Sequence, residues 1–150
     1  MYGVIKFLAY LAASLHLLAG SAIAEEYYPE GFFDGDYVMI GRHSDNGGLY
    51  QGKLQIKRDG KSWTIRRSID GKSTDGVGKI SPIAGGEAHA FTMSFAQGGH
   101  QYEATFSIDT DPDNYPRLTG YVYRQDGATI VVGLEAVFAD HGQLSKNSEE

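Results

Sequence analysis

Between Tyr50 and Ile69 apolar and polar positions alternate with a period of two. Tyr50, Gly52, Leu54 and Ile56 interleave with Gln51, Lys53, Gln55 and Lys57, then Trp63, Ile65 and Ile69 with Thr64, Arg66 and Ser68. That period belongs to a β-strand, whose successive side chains leave opposite faces of the ribbon. The interruption Arg58-Asp59-Gly60-Lys61 holds an Asp-Gly pair, and glycine accepts the positive φ that a tight primed turn needs. The two runs together predict a hairpin.

The same punctuation repeats along the chain. It predicts strands over Tyr37–His43, Leu49–Lys57, Ser62–Ile69, Gly76–Ile83, His89–Ala96, Gln101–Ile108, Arg117–Arg124 and Thr129–Phe138. Between them stand short breaks rich in Gly, Asn and Asp, with one longer connection at Asp109–Pro116. Beyond the amino-terminal segment, no window of helical length carries apolar residues at three-and-four spacing. Strands joined by short turns cannot be parallel neighbours, which need long crossovers, so the predicted fold is all-β, an eight-stranded antiparallel meander. An even strand count lets the first and last strands pair, closing an up-and-down barrel and removing exposed edges. The alternative is a two-sheet β-sandwich, with the chain changing sheet across Asp109–Pro116.

Face assignments give the expected core: His89, Phe91, Met93 and Phe95 on one strand, Tyr102, Ala104, Phe106 and Ile108 on the next, and Ile130, Val132, Leu134, Ala136 and Phe138 on the last. Buried apolar side chains of this size contribute about 1.5–3 kcal/mol each. With no cysteine in the chain, burial must stabilise the fold without disulfides.

The barrel reading, residues 37–139, leaves three flanking segments. Met1 to Ala24 has the layout of a secretory signal: Lys6 as the early charge, an apolar stretch from Phe7 to Leu18, and Ala22-Ile23-Ala24 as a small-x-small cleavage site. The apolar stretch is short for a membrane span, which takes about 20 residues, and Glu25-Glu26 follow at once. The expectation is an exported product, periplasmic or extracellular, that leaves the membrane after cleavage. Residues 25–36 form a lead-in whose Tyr27, Tyr28, Phe32 and Phe33 are too many rings for a disordered linker, and they are expected to pack across one end or side of the domain. Residues 140–150 read as a polar flexible tail. A net charge of −6, with no basic run longer than Arg66-Arg67, argues against nucleic-acid and anionic-membrane partners.

Candidate chemistry is sparse. Arg67 shares the inward face of Trp63, Ile65 and Ile69, and a buried guanidinium needs a partner or water. Three readings stand: Arg67 snorkels from a barrel mouth, anchors an anionic group of a ligand, or pairs with an internal acid such as Glu135. The ligand reading adds Trp63 and Tyr102 to the site. A second candidate is an outward patch of Tyr121, Tyr123, Val131 and Val137, opposite the expected core face of the last strand. Either the lead-in rings cover it, or it meets a protein partner or a second copy. Asp109, Asp111 and Asp113 imitate the opening of a calcium loop, but Asn114 and Gly120 stand where that loop needs Gly and Glu, so an ordinary turn is the better reading. Gly71-Lys72-Ser73 lacks the upstream glycine of a phosphate loop. His43, His89, His100 and His141 have no metal-ligand spacing, and no nucleophile motif occurs. No metal, cofactor or catalytic residue is therefore assigned.

A meander whose first strand opens with Gly35-Asp36-Tyr37 resembles the calycins, the lipocalin and avidin-like small barrels, where Gly-x-Trp begins that strand. The likeness spans the strand pattern of the mature chain but only this one motif, with Tyr in place of Trp, and it carries over no ligand-binding residue. Asp113-Asn114-Tyr115 with Gly133-Leu134-Glu135-Ala136 is similar to small exported bacterial proteins, which implies no mechanism. The calycin resemblance implies a non-enzymatic binding protein with a small apolar or amphipathic ligand in its lumen. The alternatives are a protein-interaction module, an inhibitor or envelope-assembly factor working through surface and loops, and a hydrolase of unrecognised type.

Overall fold

A computed structural model describes residues 28–110 and 115–140. The leader reading, Tyr27, the calcium-loop reading at Asp111 and Asp113, and the tail beyond Asp140 lie outside the described residues.

The eight predicted strands all form: β1 Gly35–Arg42, β2 Leu49–Asp59, β3 Ser62–Ile69, β4 Lys72–Ile83, β5 Ala88–Gln97, β6 His100–Thr110, β7 Pro116–Arg124 and β8 Gly133–Ala139. Each pairs antiparallel with the next, and β1 also pairs with β8, from Tyr37 opposite Ala139 to Arg42 opposite Leu134. The sheet is thus a closed up-and-down barrel, which rules out the sandwich. The tight turns behave as the Asp-Gly and Gly-Gly pairs predict: Asp70 and Gly71 take φ of 50° and 73°, the double positive φ of a primed hairpin turn. The eight strands form an all-β closed barrel, an architecture compatible with a calycin-like small barrel.

Inward positions alternate along the strands except on β5, where Ala90, Phe91, Thr92 and Met93 are all buried. Elsewhere Tyr37, Met39, Leu54, Ile56, Trp63, Ile65, Ala104, Phe106, Leu118 and Val137 are buried, while their neighbours one residue away are half-buried or exposed. Phe33, just before β1, enters the barrel and is 1% exposed. Its ring packs at 4.8 Å from Phe91 and 5.3 Å from Trp63. The Tyr37 hydroxyl donates to the Phe33 carbonyl at 2.7 Å, which fastens this plug. The expectation that lead-in rings pack across one end is met by Phe33.

The last strand corrects the sequence reading. β8 starts at Gly133, so Ile130 and Val132 lie in the preceding loop and cannot set its phase. Gly133, Glu135 and Val137 face inward, while Leu134 and Phe138 are 41% and 40% exposed. The register explains the inversion: buried Met39 sits opposite Val137, and exposed Ile40 opposite Ala136. Glu135 thereby carries its charge inward, a position that is tolerable because the base Arg67 waits inside the barrel.

Candidate functional site

Two features compete for a functional role: a polar cluster inside one end of the barrel, and an apolar face outside it.

The polar cluster occupies the end where β3 and β6 carry Arg67 and Tyr102. Arg67 Nη1 donates to Glu135 Oε2 at 2.9 Å, and Nη2 donates to Oε1 of the same carboxylate, a bidentate pair with side chains 3% and 0% exposed. The Tyr50 hydroxyl also donates to Glu135 Oε1. A glycine makes this reach feasible. Gly41 on β1 stands between Tyr50 on β2 and Glu135 on β8 in one cross-strand row, and a Cβ there would come within 2.6 Å of the Tyr50 ring and the Leu134 carbonyl. The guanidinium lies over the Phe95 ring, 4.2 Å from its centroid, and Tyr102 stacks on that same ring with centroids 5.6 Å apart.

Electrostatics follow from this packing. Burial works against the Arg67 charge, yet Glu135 and the Tyr50 oxygen more than offset it, so its pKa rises. Burial, then the Glu135 charge, pushes the Tyr50 hydroxyl well above the ordinary tyrosine value, partly opposed by Arg67. The pair is therefore charged and satisfied by the protein itself.

The loop after β1 closes this end. Tyr102 donates to Asp45 Oδ2 at 2.6 Å, Ser44 is 4% exposed, and the Val131 amide donates to the Ser44 carbonyl at 3.2 Å. Burial and the Asp45 contact push the Tyr102 hydroxyl up to about 12. What remains beside Arg67, Tyr50 and Tyr102 is a crevice of about 20 Å³, enough for roughly one water.

The sequence-derived ligand set is therefore split. Arg67 and Tyr102 meet around Phe95, whereas Trp63 lies at the opposite end with Phe33 and Phe91. Of the three readings of Arg67, the geometry is that of the internal pair with Glu135.

The outward patch also changes membership. Val137 is fully buried and faces inward, so it leaves the patch. Tyr123 is half-buried and donates to Glu103 Oε1 at 2.7 Å, and Val131 is half-buried in the loop before β8. Only Tyr121 remains freely exposed, at 59%. Its neighbours come from the expected core face of the last strand and from the outer face of β1. Cross-strand pairing sets Tyr121 beside Leu134, Leu134 beside Arg42 and Arg42 beside Leu49; one row on, Thr119, Ala136 and Ile40 follow, and then Phe138 and Val38. Large side chains surround a floor of Ala136, Gly120, Gly41, Ser107 and Thr119, leaving a shallow apolar groove of about 730 Å³ on the outside of β7, β8 and β1. One signal for it was present in the sequence: β1 alternates Tyr37, Met39 and Gly41 with Val38 and Ile40, so it is apolar on both faces.

Among the described residues, no three His, Asp or Glu side chains gather in a metal-binding arrangement. No protein-family model matches the chain, and neither does any curated protein.

Proposed function

We propose that this is an exported, non-enzymatic binding protein that works from the outside of its barrel. The apolar face of β7, β8 and β1 receives the apolar surface of a protein partner. One observation carries the reading: Val38, Ile40, Tyr121, Leu134 and Phe138 are contiguous and exposed on the exterior, while the interior is filled. Exposed apolar surface gathered in one place usually meets something, whereas the same residues scattered singly would carry no such meaning. The leader-like Met1–Ala24 supports export.

The reading with a small apolar guest inside the lumen has less support. Ligand pockets commonly measure about 300–1,000 Å³. The crevice beside Arg67 measures about 20 Å³, and rings fill the far end.

A photo-crosslinking amino acid placed at Tyr121, in cells that express the protein, tests the proposal. The expected result is a discrete adduct at Tyr121 and none at Val77, which is 54% exposed on β4 at another part of the barrel. Equal labelling, or none, at both positions counts against it.

A further inference from the structure

We infer that the occupant of the apolar face is a second copy of this chain, docked about a two-fold axis that lies in the interface and crosses β1 at the level of Met39. The inference rests on the reading of this face as a binding surface and names its partner.

The outward row of β1 reads Asp36, Val38, Ile40, Arg42. It is symmetric about Met39: an apolar residue one step away on each side, then an acid three steps one way and a base three steps the other. Three steps of extended chain span about 10 Å. Two such rows laid face to face and antiparallel place each Val38 on the other copy's Ile40 and each Asp36 opposite the other copy's Arg42. An isologous contact makes every pairing twice, so one acid and one base on a single strand provide two symmetric ion pairs.

The next strand follows the same axis. On β8, Val137 stands opposite Met39, with Phe138 beside Val38 and Ala136 beside Ile40. Rotation about the axis sets the Phe138 ring of one copy over the Ala136 of the other. Phe138 is a projecting ring and Ala136 is part of the groove floor, so a large residue faces a small one on both sides of the axis.

Charge and size favour a copy over an unrelated partner. The chain carries −6, so two copies repel unless their contact excludes or pairs its acids. This face does both: Asp36 meets a base of the other copy, Glu135, the one acid of β8, points inward onto Arg67, and the outward positions Leu134, Ala136 and Phe138 are uncharged. Val38, Ile40, Tyr121, Leu134 and Phe138 are between 37% and 59% exposed, and Leu49 at the rim reaches 86%. These six residues present several hundred Å² of apolar surface, approaching the roughly 800 Å² each side of a standard interface buries.

The test is charge reversal at the two ends of the β1 row, read by sedimentation of the purified protein over a concentration series. The unaltered protein is expected to dimerise. Asp36→Arg opposes bases across the interface and Arg42→Asp opposes acids, so each is expected to weaken dimerisation at least about tenfold. An equimolar mixture of the two variants restores both ion pairs in a mixed dimer, as the double variant does within one chain. Circular dichroism guards against a variant that has lost the barrel. Recovery in the mixture is what the axis predicts, since variants damaged for unrelated reasons do not rescue each other. A dimer whose variants do not recover on mixing overturns the proposed axis. A protein monomeric at every concentration overturns the second copy as occupant; the cross-link at Tyr121 then decides separately whether the face binds anything.

Discussion

At one end of the barrel the lumen is closed by Phe33, Trp63 and Phe91, three rings in mutual contact; at the other it is closed by Arg67, Glu135 and Tyr50, joined by hydrogen bonds. Both ends are filled; all of these residues are almost fully buried except Tyr50, which is half-buried. Their response to change differs. Apolar packing loses energy roughly in proportion to the contact removed, so it degrades gradually. A buried ion pair satisfies itself completely or leaves a charge without a partner in a dry place. The lesson is that the polar end is specific rather than strong: its members hold one another, and the protein gains little net stability from having them.

The sharpest break comes from removing one partner. Glu135→Ala strands the Arg67 charge and the Tyr50 hydroxyl, with an expected loss of about 3–5 kcal/mol in urea unfolding. Replacing all three members, by Arg67→Met, Glu135→Leu and Tyr50→Phe together, is expected to restore stability to within about 1 kcal/mol of the starting value or above it, because apolar replacements of a buried pair are often neutral or stabilising. A triple variant as unstable as Glu135→Ala would show that the pair itself provides net stability, and the contrast between the ends would vanish. At the apolar end, Phe33→Ala leaves a cavity against Trp63 and Phe91, with an expected cost of about 3 kcal/mol. Phe33→Leu keeps most of the volume and is expected to cost under about 1.5 kcal/mol. The apolar end thus forgives the substitution that preserves size, and the polar end has no equivalent single change.

Sequence carried the topology well because the turns are chemically marked. Asp70-Gly71 and Gly98-Gly99 adopt the positive φ values their residue types invite, and that alone fixes strand number and antiparallel order. Closure followed from the even count. The candidate site was less legible, for two physical reasons. First, Ile130 and Val132 are apolar yet sit in a loop; read as strand, they set β8 out of phase by one residue, and such a slip moves every side chain to the other face. Second, the partners of Glu135 lie far away in the chain, Tyr50 by 85 residues and Arg67 by 68. Alternation names a face but not the register that brings three strands together over Gly41. Arg67 showed that an inward base required a partner, and Glu135 was one candidate for it. The same slip hides the outer groove, since that phase puts Leu134, Ala136 and Phe138 in the core.

The smallest expected effect lies in the alkaline range and tests whether the lid over the polar end adds to its closure. The Tyr102 hydroxyl, buried and bonded to Asp45, titrates at about 12 instead of 10.0. A tyrosine whose folded pKa is raised binds its proton longer in the native state than in the unfolded chain. Its contribution is fully present below about pH 10, and it disappears as pH rises from about 10 to about 12, because there only the unfolded state releases the proton. Tyr37 and Tyr50 are displaced in the same direction, by burial first and then by the neighbouring carboxylates Asp34 and Glu135, so they add to the same decline. Unfolding measured from pH 9 to 12 should therefore show stability falling above about pH 10, with a shallower fall in Tyr102→Phe. At neutral pH that variant is expected to lose only about 1 kcal/mol, the worth of an ordinary hydrogen bond, because the Asp45 acceptor is exposed to solvent. If Tyr102→Phe keeps the full alkaline slope, the Asp45 contact does not hold the loop down in solution. The polar end would then be closed by Arg67, Glu135 and Tyr50 alone.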